Sequence, residues 1–139
     1  MATFHCEIVS AQEAIFSGEA NMLFATGVMG DLGIAPRHAP LITQLRPGPV
    51  RVQTPDGKEA FFFVGGGILE VQPHVVNVLA DTALRGADID AEAAKRAKEE
   101  AERTLAESAK GIDTADAEKK LQEAMAQLQA LEQMRRERK

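Results

Sequence analysis

The sequence predicts a β domain followed by an antiparallel pair of α-helices. Three observations carry that reading. The composition changes at Arg85-Gly86: residues 1–84 hold all six Pro, all six Phe and nine of the eleven Gly. Residues 85–139 hold no Pro and no Phe, but thirteen Ala and twenty-five charged residues. Short β-forming runs recur every ~8–12 residues before the break, the spacing of an antiparallel sandwich or flattened barrel rather than a βαβ fold. Apolar residues recur at helical spacing after it.

Thr3 to Val9 reads as a first strand, with Phe4, Cys6 and Ile8 on one face by the period of two. Ala14 to Gly18 and Ala20 to Ala25 are short strands. The Gly-rich stretch from Thr26 to Gly33 reads as turn or close backbone approach. Gly33 to Pro40 is loop, because Pro36 and Pro40 disfavour helix before them. Leu41 to Leu45 is a strand that Pro47-Gly48-Pro49 should stop. Val50–Thr54 and Lys58–Val64 flank Pro55-Asp56-Gly57 as a hairpin. Ile68–Val71 and Val75–Leu79 form a second one around Gln72-Pro73-His74.

The first helix is expected to start at an Asp88 or Asp90 N-cap and to carry a stripe at Ala93, Ala97, Ala101 and Leu105. Gly111 is the expected stop, and Asp113 or Thr114 the next cap. The second stripe is Ala117, Leu121, Ala124/Met125, Leu128 and Leu131. So short a connection predicts an αα-hairpin. Alanine faces approach closely but bury little area, so the hairpin should be weakly held.

Residues 1–84 carry four Lys/Arg against eight Asp/Glu, net −4, and residues 85–139 carry twelve against thirteen, net −1. Neither half has the basic excess of a nucleic-acid binder. The run Ala60-Phe61-Phe62-Phe63-Val64 is far shorter than the ~20 residues that span a bilayer. Glu7 and Glu13 break any signal-peptide pattern, and the lone Cys6 suits a reducing compartment.

Nothing in the residue pattern points to catalysis. Ser10, Ser17 and Ser108 lack a nucleophile-elbow context. His5, His38 and His74 lie in separate segments without metal-ligand spacing. Gly65-Gly66-Gly67 has no following Gly-Lys-Ser/Thr and precedes a strand, so a bulge or close approach is expected instead of a phosphate loop. His38 sits in a Pro-bracketed loop suited to presenting a side chain to a partner. The basic end at Met134 to Lys139 reads first as cations that complement a helix C-terminus, with docking on an acidic surface as the second reading.

Several segments together resemble the epsilon subunit of the bacterial F-type ATP synthase. They are Val9-Ser10-Ala11, Phe16-Ser17-Gly18, Gly30-Asp31-Leu32-Gly33-Ile34, Pro36-Arg37-His38-Ala39-Pro40-Leu41, Gly65 to Pro73 and Val78 to Ala83. The resemblance implies a flattened ten-stranded antiparallel β-sandwich over residues 1–86 and a two-helix regulatory domain over 87–139. It implies a non-catalytic rotor subunit, without a cofactor or metal, that couples proton translocation to ATP synthesis. The partners it implies are the gamma subunit, the c-ring and, when the helices extend, the alpha and beta subunits. Its location would be peripheral, at the cytoplasmic face of the bacterial inner membrane.

Residue by residue, the resemblance assigns Thr26, Gly27, Val28, Met29, Gly30, Asp31 and Leu32 to the c-ring contact, and Arg37, His38, Ala39, Pro40 and Leu41 to gamma. It assigns Arg103, Ser108, Lys110, Lys119, Lys120, Arg135, Arg136 and Arg138 to inhibitory docking on the catalytic ring. Some family members also bind ATP between the helices through an I/L-D-x-x-R-A motif and further arginines. Here Ile89-Asp90-Ala91-Glu92-Ala93-Ala94 has Ala93 at the arginine position, and the other positions hold Glu100, Glu123 and Gln127. A triphosphate needs cationic donors, so tight ATP binding is not expected. The other readings left open are a free-standing adaptor and a small hydrolase.

Overall fold

A computed structural model describes residues 2–107 and 115–137 of the chain. Strands β1 (Phe4–Val9), β2 (Ala14–Ala20), β3 (Met22–Gly27), β4 (Gly30–Ile34), β5 (Leu41–Gln53), β6 (Glu59–Val71), β7 (Val75–Ala80) and β8 (Ala83–Arg85) come first. A 3-10 turn at Gly86–Asp88 leads to α1 (Ala91–Glu107) and α2 (Ala115–Glu137). The strands hydrogen-bond in the order β2-β1-β7-β6-β5-β3-β4, and β8 adds to β6. All ladders are antiparallel except β1–β7, which is parallel.

The described strands number eight rather than ten, and the difference lies in β5 and β6. Each runs 13 residues. The second half of β5 and the first half of β6 pair with β3 and β8, whereas the second half of β6 continues beside β7. Counting each long strand twice restores ten segments. Pro47-Gly48-Pro49 therefore does not stop the strand: Pro47 lies opposite Gly65 and Pro49 opposite Phe63 within one ladder. On the other strand Gly66 (φ +99°) and Gly67 (φ +145°) take backbone angles that side chains resist. A Cβ on Gly67 would overlap the Leu79 carbonyl oxygen. The glycine triplet is thus a place of close backbone approach, as expected from its context.

Phe4, Cys6 and Ile8 point inward as the alternation predicts, and Leu23, Val52, Leu69, Val71 and Val78 complete the core. Phe16 on β2 meets Phe62 on β6 edge to face at 5.7 Å, closing the two layers. The Asp56-Gly57 turn forms as read. Gly57 has φ +84°, Thr54 N–H donates to Lys58 O at 2.9 Å, and the Asp56 carboxylate accepts from Thr54 Oγ1 and Lys58 N–H. Those bonds hold the Asp56 carboxyl below its usual range, Thr54 first. Residues Gly30–Ile34, expected as turn and loop, form β4 against β3, because Ile34 can bury behind Leu23.

Asp90, the second of the two cap candidates, caps α1: its Oδ1 accepts from Ala93 N–H at 3.1 Å. Asp88 lies in the 3-10 turn. The α1 stripe is rotated from the one expected. Ala94 and Ala101 are buried, whereas Ala93 and Ala97 stay exposed. On α2, Ala124 is buried but Met125 is 50% exposed. A second α2 face, Ala126 and Ala130 with Leu131, packs on Phe63, Ile89 and Leu84. The expected Gly111 stop and the Asp113 or Thr114 cap lie outside the described residues.

Candidate functional site

The β3–β4 turn is built to hold an apolar tip in solvent. Thr26 pairs with Asp31 and Gly27 with Gly30, leaving Val28 and Met29 at the tip. They are 49% and 92% exposed. Three contacts brace the turn: Val28 N–H to Gln44 O at 3.0 Å, Arg46 Nε to Gly27 O at 3.3 Å, and Thr26 Oγ1 to Pro49 O at 3.3 Å. Gly30 has φ +131°, and a Cβ on Gly27 would come within 2.8 Å of the Gly30 carbonyl oxygen. Leu32 turns back against the core. The seven residues from Thr26 to Leu32 thus form one rigid hairpin tip.

The loop of Arg37, His38, Ala39 and Pro40 is anchored from below. Arg37 takes φ 65°, and its N–H donates to Pro73 O at 2.9 Å. His38 Nδ1 donates to Ala39 O at 2.7 Å. Leu41 is half-buried at the start of β5. Beside this loop lies an apolar strip that sequence reasoning did not single out. Ile42, Ile68 and Leu79 are 71%, 43% and 45% exposed. Ile68 sits opposite Leu79 in one ladder and opposite Gln44 in the other. Asn77 Nδ2 donates to Glu70 Oε1 at 3.1 Å at its rim. Only part of the signal lay in the sequence: Ile68 and Leu79 alternate with the buried Leu69, Val78 and Ala80, whereas Ile42 stands between half-buried neighbours.

A cleft of about 600 Å³ separates the helices. Ala93, Glu100, Glu123 and Gln127 all line it, so the fold does bring these four positions together. Among the described residues, five carboxylates line it, from Asp88, Asp90, Glu100, Asp116 and Glu123, against one cation, Lys120. Lys120 lies 3.5 Å from Asp116 on its own helix. Such a lining repels a polyphosphate.

The described basic positions are spread over both helices. Arg103 is exposed on α1; Lys119, Lys120, Arg135 and Arg136 are exposed on α2. Arg136 Nη2 bonds Glu132 Oε1 at 3.1 Å. Ser108, Lys110 and Arg138 lie outside the described residues. Elsewhere, His5 bridges Glu7 and Glu19 at 3.2 and 3.3 Å, and these bonds, Glu7 first, raise its pKa. Burial pushes the Cys6 thiol up to about 12, so it has no reactive thiolate. Among the described residues no group of His, Cys, Asp and Glu is arranged to hold a metal.

Residues 3–86 match the family model for the ATP synthase delta/epsilon chain β-sandwich domain, and residues 87–132 match that for its long α-helix domain. The chain belongs to the ATP synthase delta/epsilon family. Curated relatives agree over nearly the whole length. The ATP synthase epsilon chain of Stenotrophomonas maltophilia strain K279a is 57% identical, over 98% of this chain and 97% of the relative. That of Alkalilimnicola ehrlichii is 59% identical over the same shares. Among solved structures, a chain of the Euglena gracilis mitochondrial ATP synthase OSCP/F1/c-ring assembly superposes with a TM-score of 0.73. It covers 100% of this chain and 83% of that one at 20% identity, so it bears on fold alone. A chain from the Tetrahymena thermophila ATP synthase central stalk and c-ring gives 0.60 at 11% identity, covering 94% and 95%. The delta/epsilon fold is therefore shared across distant sequences.

Proposed function

We propose that this chain is the epsilon subunit of a bacterial rotary ATP synthase, a non-catalytic part of the central stalk that links gamma to the c-ring. One observation carries the assignment of surfaces. The exposed large apolar residues fall mostly into two patches on one sandwich, the Val28-Met29 tip and the Ile42/Ile68/Leu79 strip beside Arg37–Leu41. A subunit that transmits torque needs two such interfaces on a rigid body. The tip takes the c-ring and the strip takes gamma. The sandwich of residues 1–86 does this work, and residues 87–139 are a regulatory arm. No described helix is long and apolar enough to cross a membrane. Attachment at the cytoplasmic face would then be peripheral, through the ring.

The arm suits a conformational role energetically. The fully buried residues of its two helices are all alanines, Ala94, Ala101, Ala124, Ala126 and Ala130, each contributing about 1 kcal/mol or less, and only a few larger side chains such as Leu131 and Met134 add to them. Two packings that differ by a few kcal/mol are what a regulator requires. α2 has 23 residues, about 35 Å of helix, enough to reach a distant catalytic subunit. Extended, the arm would offer Arg103, Lys119, Lys120, Arg135 and Arg136, with Ser108, Lys110 and Arg138, to an acidic surface on the beta subunit and restrain ATP hydrolysis. The test is hydrolysis by the matching alpha–beta–gamma complex with the full chain and with a chain ending at Gly86. Suppression by the full chain alone supports an inhibitory arm; equal rates would reduce the arm to packing.

A further inference from the structure

The third exposed apolar position on this side of the molecule is not on the sandwich at all. Met125 of α2 is 50% exposed, matching the 49% of Val28. The two share a groove of about 380 Å³ whose other lining includes Arg46, Pro47, Gln122 and Gln129. Arg46 lines the groove from the sandwich side. Its Nε donates to Gly27 O, while its side chain is 58% exposed and Nη2 is only loosely near Asp31, at 4.0 Å. One wall is therefore sandwich and the other is arm. Apolar side chains line both walls, with donors between them: a guanidinium and two amides.

We infer that the folded arm completes the ring-docking surface, with a loop of a c subunit seated between Val28 and Met125 and its backbone or carboxylate oxygens on Arg46 and Gln122. This rests on the reading of the Val28-Met29 tip as the ring contact, with which the groove is continuous. Methionine suits such a place because its unbranched thioether adapts to an irregular surface. A free-solvent role explains neither methionine: Met29 caps the exposed tip beside Val28, and Met125 is a large apolar side chain among Gln122 and Gln129. The consequence is a linkage. Extending α2 removes one wall, so ring binding favours the folded arm and arm extension loosens the ring, by the same factor in both directions.

The experiment measures the affinity of the full chain, bound to gamma, for the purified c-ring in detergent. Variants are Met29→Glu on the tip, Met125→Glu on the arm, and Gln122→Glu, a near-isosteric change of an exposed side chain. Thermal unfolding and gamma affinity of each isolated variant serve as fold controls. Both methionine variants should weaken ring binding by about fivefold or more, and Gln122→Glu by about threefold. Weakening by Met29→Glu with wild-type affinity for both arm variants would overturn the shared surface and leave the tip reading intact. No weakening by any variant would overturn both. If Met125→Glu unfolds α2, Gln122→Glu decides: undiminished affinity there overturns the inference.

Discussion

Replacing Gly86 by Ala tests how the arm is fastened. Gly86 opens the 3-10 turn where the chain leaves the sandwich, and it is buried. A Cβ there would overlap the Met134 sulfur and come within 3.0 Å of the Met134 methyl and of the Phe61 carbonyl oxygen. Met134, near the end of α2, is seated in the space the glycine leaves. The methionine can swing out, but then loses its burial, and the carbonyl cannot move freely. Overpacking of this kind costs about 1–2 kcal/mol. Met134→Ala alone loses part of a methionine side chain's burial, about 1 kcal/mol. In the double variant the seat is already vacant, so the total should be about 1–1.5 kcal/mol, short of the sum by about 1. Urea unfolding of the isolated chain followed by circular dichroism measures all three, and hydrogen exchange in α2 locates the loss. Additivity within about 0.5 kcal/mol would refute the seating of Met134 on Gly86.

Three further outcomes follow from buried and electrostatic features. The Cys6 thiol, fully buried and pushed up to about 12, should resist alkylation at pH 8 until the chain unfolds. Because the unfolded thiol ionises near its ordinary value and the folded one does not, the unfolded state binds fewer protons as pH rises. The stability difference between wild type and Cys6→Ala should then be constant below about pH 9 and fall by about 1.4 kcal/mol per pH unit above it. A difference flat to pH 11 would contradict this. Calorimetry should detect no micromolar ATP binding by the isolated chain, since five carboxylates line the interhelical cleft; a micromolar Kd would show that the cleft rearranges.

Much of this was legible because local chemistry and burial agree. The Asp56-Gly57 hairpin and the Phe4/Cys6/Ile8 face follow from turn residues and alternation alone. The long strands were not legible, because Pro47 and Pro49 remove donors without breaking a ladder whose partner at those points is Gly65 and Phe63. The α1 stripe slipped because alanine marks both its buried and its exposed positions: Ala93, Ala94, Ala97 and Ala101 are indistinguishable until the partner is seen. The same ambiguity hid the second face of α2, where Ala126 and Ala130 meet Phe63. Of the tip and loop residues drawn from the resemblance, Val28, Met29, Gly30, Asp31, Arg37, Ala39 and Pro40 are exposed, whereas Gly27 is buried and Leu32 and Leu41 pack against the core. Ile42, Ile68 and Leu79 were missed as surface residues because β-forming aliphatics read as core on either face.

The most direct test of the stalk assignment is the affinity of the full chain for purified gamma, compared with an Ile42→Asp/Leu79→Asp double variant. Those side chains are 71% and 45% exposed, so the fold should tolerate both changes. Wild type should bind, and the double variant should bind at least about tenfold more weakly while melting at the same temperature. Failure of the wild type to bind gamma, or undiminished binding by the variant, would contradict the account.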